Sequence, residues 1–320
     1  MRAPPDAWPA RRRLLTAGLS SLAACALPAS VLTTASPRSS RSRLVLLGTA
    51  GGPTPKALRA APASAVVVDD VIYLLDCGNG VARQLVLAGL PLGRIAHVFL
   101  THQHSDHNAD YGNLLWLAWA NALTHPVDTW GPPPLARMTR LFLEMNQADI
   151  ATRMVDEGRP ALAPLIRPHE LTRGGPVMRD GRVRVSAALV EHPPVTPAFA
   201  YRFDCPDRSI VFSGDTRPSA ELVKLARGAD VLVHEVMYLP ALEKLLAAES
   251  NAPRLREHLL ASHTTTAQVG RIASKAKVKT LVLNHFVPGG DPALTDAVWR
   301  DAVAPHFKGD IVIGRDLMVL

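Results

Sequence analysis

Cysteine is scarce: there are three in 320 residues, at positions 25, 77 and 205. That is too few for a disulfide-stapled miniprotein, and Cys77 and Cys205, 128 positions apart, are not spaced as a metal-binding pair. No apolar run reaches the ~18 residues of a membrane span, which excludes a polytopic membrane protein. Internal repeats are absent. With 48% hydrophobic and 20% charged residues the composition is that of a soluble globular chain, neither disordered nor collagen-like. The formal charge of +7 is concentrated at one end. Arg2, Arg11, Arg12, Arg13, Arg38, Arg41 and Arg43 face a single acid, Asp6, within residues 1–43, so the rest of the chain carries about +1. A body that neutral lacks the general excess of cations by which proteins hold phosphate backbones.

The amino terminus reads as an address. Arg11-Arg12-Arg13-Leu14-Leu15 opens an uncharged stretch, Leu14 to Ala24, the basic-then-apolar layout of a secretory signal. The paired arginines resemble a twin-arginine signal, whose pathway exports folded proteins. Residues 1–29 are therefore expected to be the signal, 30–42 a polar linker and 43–320 the functional domain, placed in the periplasm or beyond. Cleavage at Ala24-Cys25-Ala26 or Leu27-Pro28-Ala29 is one route. Lipidation of Cys25 is the other, because Leu22-Ala23-Ala24-Cys25 resembles a lipobox.

From Arg43 onward short β-rich runs alternate with helical ones. The pattern predicts strands at 44–47, 65–69, 71–76, 95–100, 127–130, 183–190, 198–203, 210–212, 231–233, 280–283 and 311–313. It predicts helices over 81–90, 113–123, 134–145, 150–157, 219–226, 266–276 and 294–303. Two β-rich halves with helices outside imply an α/β protein: an αββα four-layer sandwich, two mixed β-sheets flanked by helices.

Most predicted strands end at a residue suited to chemistry. The strand 95–100 runs into His102, His104, Asp106 and His107, three imidazoles and a carboxylate within six residues, a donor set suited to zinc. His102 and His104 can face one metal; Asp106 and His107, at the turn, can face a second. Four residues cannot close two sites. His192, Asp215 and His285, each just after a predicted strand, supply the missing ligands.

His102-Gln103-His104-Ser105-Asp106-His107, with His192, Ser213-Gly214-Asp215-Thr216 and Asn284-His285-Phe286, resembles the metallo-β-lactamase fold superfamily over roughly residues 43–320. Leu46-Leu47-Gly48-Thr49, Leu75-Asp76-Cys77-Gly78, His234-Glu235 and Ser262-His263-Thr264-Thr265 resemble motifs of its ribonuclease Z-like branch. Within that branch, Thr101–Asp110, Gly131-Pro132, Pro197–Tyr201 and Ile210–Thr216 look most like secreted zinc-dependent arylsulfatase-like enzymes. The resemblance implies His102, His104 and His192 on one zinc and Asp106, His107 and His285 on the other. Asp215 would bridge them, and iron or manganese could replace one zinc.

Such a metal pair activates water and polarises a substrate oxygen. Asp106 would take a proton from that water, His263 would protonate the leaving oxygen, and Glu235 would orient His263. Trp116 and Trp119, three apart on a predicted helix, read first as core packing; the alternative is an aromatic wall against the substrate, to which Tyr238 and Phe286 could add. His97, His125, His169, His258 and His306 read as structural or surface residues. The resulting expectation is an exported dinuclear zinc hydrolase, its bridging hydroxide cleaving small aryl sulfates or phosphodiesters. Its partner would be a small anionic ester, not nucleic acid, and contact with a membrane would come only through a lipid on Cys25; a homodimer is plausible. The alternative is a ribonuclease Z-like tRNA 3′-endonuclease. Against it stand the signal, the near-neutral body, and the mere 22 residues between His192 and Asp215, where tRNA-processing members carry a long arm. A lactonase, a β-lactamase and an inactive metal-binding protein are further readings.

Overall fold

The computed structural model describes residues 42–248 and 251–320; the expected signal, Cys25 and all but the last residue of the expected linker lie outside the described residues. Side chains alternate across a strand, so a strand apolar at nearly every position must be covered on both faces. β1 (Ser42–Gly48), β2 (Ala63–Val68) and β3 (Val71–Leu75) are of this kind. They are followed by α1 (Val81–Leu87), β4 (Ile95–Phe99), α2 (Ser105–Asn108), α3 (Tyr111–Asn121), β5 (Val127–Gly131), α4 (Leu135–Met145), α5 (Gln147–Asp156) and β6 (Ile166–Glu170).

The second half contains β7 (Gly175–Arg179), β8 (Arg184–His192), β9 (Val195–Asp204), β10 (Ser209–Phe212), α6 (Ala220–Leu225) and β11 (Val231–Met237). It continues with α7 (Leu242–Ala248), α8 (Leu255–Ser262), α9 (Thr266–Ala276), β12 (Thr280–Val287), α10 (Asp296–Val303), β13 (Asp310–Ile313) and β14 (Met318–Val319). The strands form two seven-stranded mixed sheets, ordered β14-β1-β2-β3-β4-β5-β6 and β13-β12-β11-β10-β9-β8-β7. β14 joins the first sheet, antiparallel to β1.

The alternation sorts residues into layers. Leu44, Leu46, Val66, Tyr73 and Phe99 of the first sheet meet Val185, Phe199, Tyr201, Phe203 and Phe212 of the second. On the opposite face of the first sheet Val45, Leu47, Leu74 and Val98 pack with Leu85, Leu114, Leu115 and Trp119 from α1 and α3. On the outer face of the second, Val211, Leu232 and Leu281 meet Leu222, Val269, Ile272 and Trp299 from α6, α9 and α10. This is the expected αββα sandwich. Cys77 and Cys205 are both free thiols.

Two of the strands that the sequence pattern leaves out, β6 and β7, share a physical reason. β6 and β7 are the terminal strands of their sheets, and Arg167, Pro168, His169, Pro176 and Arg179 give them the charge and proline that protect an edge instead of an alternating apolar pattern. α8 starts after Arg254, with no side-chain cap to announce it. β2 and β3, predicted as strands, pair as a hairpin. Val68 pairs with Val71 across Asp69-Asp70, and both turn residues have positive φ, 48° and 63°. A two-residue turn of that hand matches the twist of the strands it joins. A β-branched residue is poorly tolerated there, so Asp70→Val is expected to destabilise the protein by about 1–2 kcal/mol in urea unfolding. An unchanged midpoint would show that the turn does not constrain the hairpin.

Candidate metal centre

β10, β11 and β12 run parallel, as do β3, β4, β5 and β6, and β8 shares the direction of β10 through two antiparallel pairings. The carboxyl ends of β4, β8, β10 and β12 therefore deliver His102, His192, Asp215 and His285 to one edge of the sandwich, where open α/β sheets place their ligands. α2, opening at Ser105, adds Asp106 and His107 from one helical turn. His285 needs a special device. In the β11–β12 register Glu235 opposes Asn284 and Val236 opposes Phe286, leaving His285 as a bulged residue with φ 44°. The bulge turns an imidazole out of its strand and into the site.

Three imidazole nitrogens form the first group. His104 Nδ1 lies 3.1 Å from His102 Nε2 and 3.0 Å from His192 Nε2. The remaining nitrogens of two of these rings are occupied outside the group: His192 Nδ1 donates to the Ser262 carbonyl at 3.0 Å, and His102 Nδ1 to Thr101 Oγ1 at 3.0 Å. Their Nε2 lone pairs thus point inward. Burial lowers the pKa of all three rings, His192 to about 4, which keeps them neutral and able to ligate.

The second group mixes imidazole with carboxylate. His107 Nε2 is 3.5 Å from Asp106 Oδ2 and 3.4 Å from Asp215 Oδ1, while His285 Nε2 is 3.4 Å from Asp106 Oδ2 and 3.2 Å from Asp215 Oδ2. Asp215 also faces the first group, with Oδ2 3.9 Å from His102 Nε2 and 4.0 Å from His192 Nε2. Asp76, on the carboxyl end of β3, accepts from His107 Nδ1 at 2.8 Å and from the Thr101 amide at 2.8 Å. This leaves His107 Nε2 facing the Asp106 and Asp215 carboxylates. His107 Nε2 and Asp215 Oδ1 are both buried without a hydrogen-bond partner.

Such a set of converging nitrogen and oxygen atoms fits a metal cation. Ligands bound at 2.0–2.1 Å in a tetrahedron stand about 3.3 Å apart, close to the spacings found. The electrostatics agree. Burial would lower the His107 pKa, but Asp215, Asp106 and Asp76 raise it well above its ordinary value. Burial would raise Asp106 and Asp215, but His107 and His285 hold both well below the carboxylate range. The pocket is a field that favours positive charge, and among the described residues no cysteine joins its ligand groups.

His263 follows α8, and its Nδ1 donates to Glu235 Oε2 at 2.9 Å; the other carboxylate oxygen accepts from the Thr216 amide at 2.8 Å. Burial lowers His263 and raises Glu235, yet their attraction brings His263 up to about 9. Nε2 of His263 is left for a substrate. His234, beside Glu235 on β11, is buried and lowered by burial to about 4, with Nδ1 on the Glu235 carbonyl at 2.7 Å.

A cavity of about 310 Å³ opens over these residues. His104, Asp106, Asp215, His263 and His285 form one side, and Leu245, Leu255, Leu259, Val287 and Pro288 the other. The residue that sequence reasoning missed is His258, read there as structural or surface. It lines the cavity, with its ring 5.9 Å from both His104 and His192 and 5.8 Å from His263. Its one available signal is the four-residue spacing to Ser262 on α8, whose hydroxyl its Nδ1 approaches at 3.4 Å.

Trp116 and Trp119 pack in the core, the first of their two readings, and the aromatic alternative is not met. None of the four aromatic candidates lines this cavity. Trp119 is 2% exposed in the helix–sheet core, its Nε1 donating to the Pro160 carbonyl, and Trp116 packs beside it under Arg153. Phe286 and Tyr238 pack on Trp299. The wall beside the site is aliphatic. The sequence left this open because a tryptophan spacing of three suits a helix's buried face as well as a binding face.

A model of the beta-lactamase superfamily domain matches residues 72–286. A ribonuclease Z of Mycobacterium bovis (strain BCG / Pasteur 1173P2) is 34% identical over 277 residues, 86% of this chain and 96% of that protein. A ribonuclease Z of Mycobacterium sp. (strain KMS) is 36% identical over 276 residues, 86% of this chain and 94% of that one. Among solved structures, the metallo-beta-lactamase fold protein YhfI from Bacillus subtilis superposes with a TM-score of 0.63 at 21% identity, covering 87% of this chain and 98% of that one. The short form of human tRNase Z superposes equally well, TM-score 0.63 at 22% identity over 87% and 98% of the two chains. At those identities the structures establish the fold. None of these relatives supports the expected closeness to arylsulfatase-like enzymes.

Zinc added to chelator-stripped protein is expected to raise its melting temperature, since binding to the native state at 100-fold above Kd adds about 2.7 kcal/mol. Asp215→Ala, which removes the carboxylate shared by both groups, should reduce the metal measured by elemental analysis to about one ion or fewer per chain. Undiminished metal in that variant would show that Asp215 is not a ligand.

Proposed function

The chain belongs to the beta-lactamase superfamily, in its ribonuclease Z-like branch, and from that membership we propose that it is a metal-dependent phosphodiesterase acting on RNA. The observation that carries the reading is the likeness to ribonuclease Z proteins over nearly their whole length. It corrects two expectations, that the substrate is a small aryl sulfate and that nucleic acid is not a partner.

The arguments raised against nucleic acid fail on physical grounds. The likeness to the Mycobacterium bovis ribonuclease Z covers 96% of that protein, although only 22 residues lie between His192 and Asp215 here. A missing arm therefore does not separate this chain from it. Net charge, the second argument, is a sum over the surface, whereas a polyanion responds to where cations are grouped. Residues 1–29, proposed from their sequence to direct export, would bring the enzyme to RNA outside the cytoplasm. Fractionation of cells carrying a tagged chain tests that address separately from the chemistry.

Two zinc ions would fit the centre: His102, His104 and His192 would hold one and Asp106, His107 and His285 the other, with the Asp215 carboxylate within reach of both groups. Nitrogen and oxygen donors without sulfur suit zinc and admit iron or manganese. The metal pair supplies Lewis acidity, lowering the pKa of water and polarising a phosphoryl oxygen. Asp106 Oδ2, held by the Gly52 amide at 3.1 Å, is placed to accept the proton that water gives up. Glu235 fixes the His263 ring so that Nε2 faces the cavity and donates a proton to the departing ribose oxygen. The aliphatic side of the cavity excludes water next to the scissile bond and offers a surface to one flanking base.

Purified protein of known metal content should cleave a precursor tRNA bearing a 3′ trailer, lose that activity to a chelator, and leave p-nitrophenyl sulfate intact. Sulfate turnover without RNA cleavage would overturn the proposal. His263→Ala should keep its metal, slow RNA cleavage by about 10²–10⁴-fold, and slow bis-p-nitrophenyl phosphate far less, because that leaving group needs no acid. Equal losses on both substrates would deny His263 the acid role.

A further inference from the structure

We propose that the groove between α6 and α9 is the surface on which the phosphodiester backbone of the RNA lies, an inference that rests on the RNA reading of the site. The groove has a volume of about 550 Å³ and is lined by Lys224, Arg227, Arg271 and Lys275, with no acid in its lining. Lys224 is paired with Glu221 at 2.6 Å. Arg227, Arg271 and Lys275 are exposed, and among the described residues none of the three enters an ion pair with a carboxylate.

Three features make this more than a solvated helix face. The body of the chain is nearly neutral, so a cluster of unpaired cations is a local segregation of charge, not a share of a general excess. Arg271 and Lys275 stand four apart on α9, where like charges repel; a bound polyanion would relieve that repulsion. The two helices that form the groove also start close in sequence to residues of the site. α6 is capped by Ser219, four residues after Asp215, and α9 by Thr265, two residues after His263. Both helices begin at the edge where the cluster sits and run away from it, carrying their cations along the path of a chain leaving the site. The floor of the groove, Val223 and Ile272, is anchored in the core; Arg271 and Lys275 stand on α9, and Arg227 in the turn that follows α6.

The test is the triple variant Arg227→Ala, Arg271→Ala, Lys275→Ala, made in the full metal-loaded chain and checked for fold by circular dichroism. RNA cleavage is measured between 50 and 200 mM salt beside hydrolysis of bis-p-nitrophenyl phosphate. The KM for RNA should rise about tenfold or more, and the log–log salt dependence should become shallower by about 2, from ~0.7–0.9 per lost phosphate contact. kcat for RNA and both constants for the small diester should hold. An RNA KM and salt slope equal to wild type would overturn the groove while leaving the RNA activity standing. A wild-type enzyme that hydrolyses the small diester but no RNA would overturn the RNA reading itself, and the groove with it.

Discussion

Everything in this molecule turns on a crowd of hydrogen-bond acceptors buried with too few donors. Lone pairs of His102 and His192 converge on His104 Nδ1, and His107 Nε2 faces the carboxylates of Asp106 and Asp215. In water each group would be solvated. Buried together, they repel unless a cation stands between them. The surrounding hydrogen bonds enforce this. The Ser262 carbonyl, Thr101 hydroxyl and Asp76 carboxylate take the outward N–H groups of three rings, so these rings cannot turn away from the centre.

The fold is the instrument that assembles this crowd. Parallel strands in two sheets end on one edge, and the inter-sheet core of Phe99, Phe199, Tyr201 and Phe203 locks the two edges in register. Each ligand then needs only a short departure from regular structure, such as the turn of α2 for Asp106 and His107 or the bulge at His285. Rigid strand ends hold ligands more closely than long loops do. The hairpin of β8 and β9 serves the same end, closing at Pro193-Pro194 directly after His192.

The residues around the centre divide the work of recognition. One side of the cavity is polar and reactive, with His263 held by Glu235; the other is aliphatic, contributed by α7, α8 and the end of β12. The aromatic residues that promised a substrate wall lie in the cores instead, where they support the helices and sheets that bear the site. His258, by contrast, moves from the background into the cavity, because α8 projects it toward His104 and His192. Charge follows the same lesson. A balance near neutrality coexists with a groove lined only by cations among its charged residues.

The fold class and the metal-ligand candidates were legible in the sequence because both are local signals. Alternating and continuous apolar runs report strand burial directly, and a histidine or aspartate just past such a run reports a strand end. The cluster 102–107 is a single turn of chain, readable without a fold. His192, Asp215 and His285 could be proposed because each follows its own strand. The edge strands β6 and β7 escaped because their residues answer to solvent and carry no core pattern. Which atom of each ring faces inward, the bulge that aims His285, the entry of His258, the burial of Trp119 and Phe286, and the gathering of Arg227, Arg271 and Lys275 in one groove were decided only by tertiary structure. Each depends on a neighbour tens of residues away, and a sequence records the spacing of side chains along the chain but not the direction in which packing turns them.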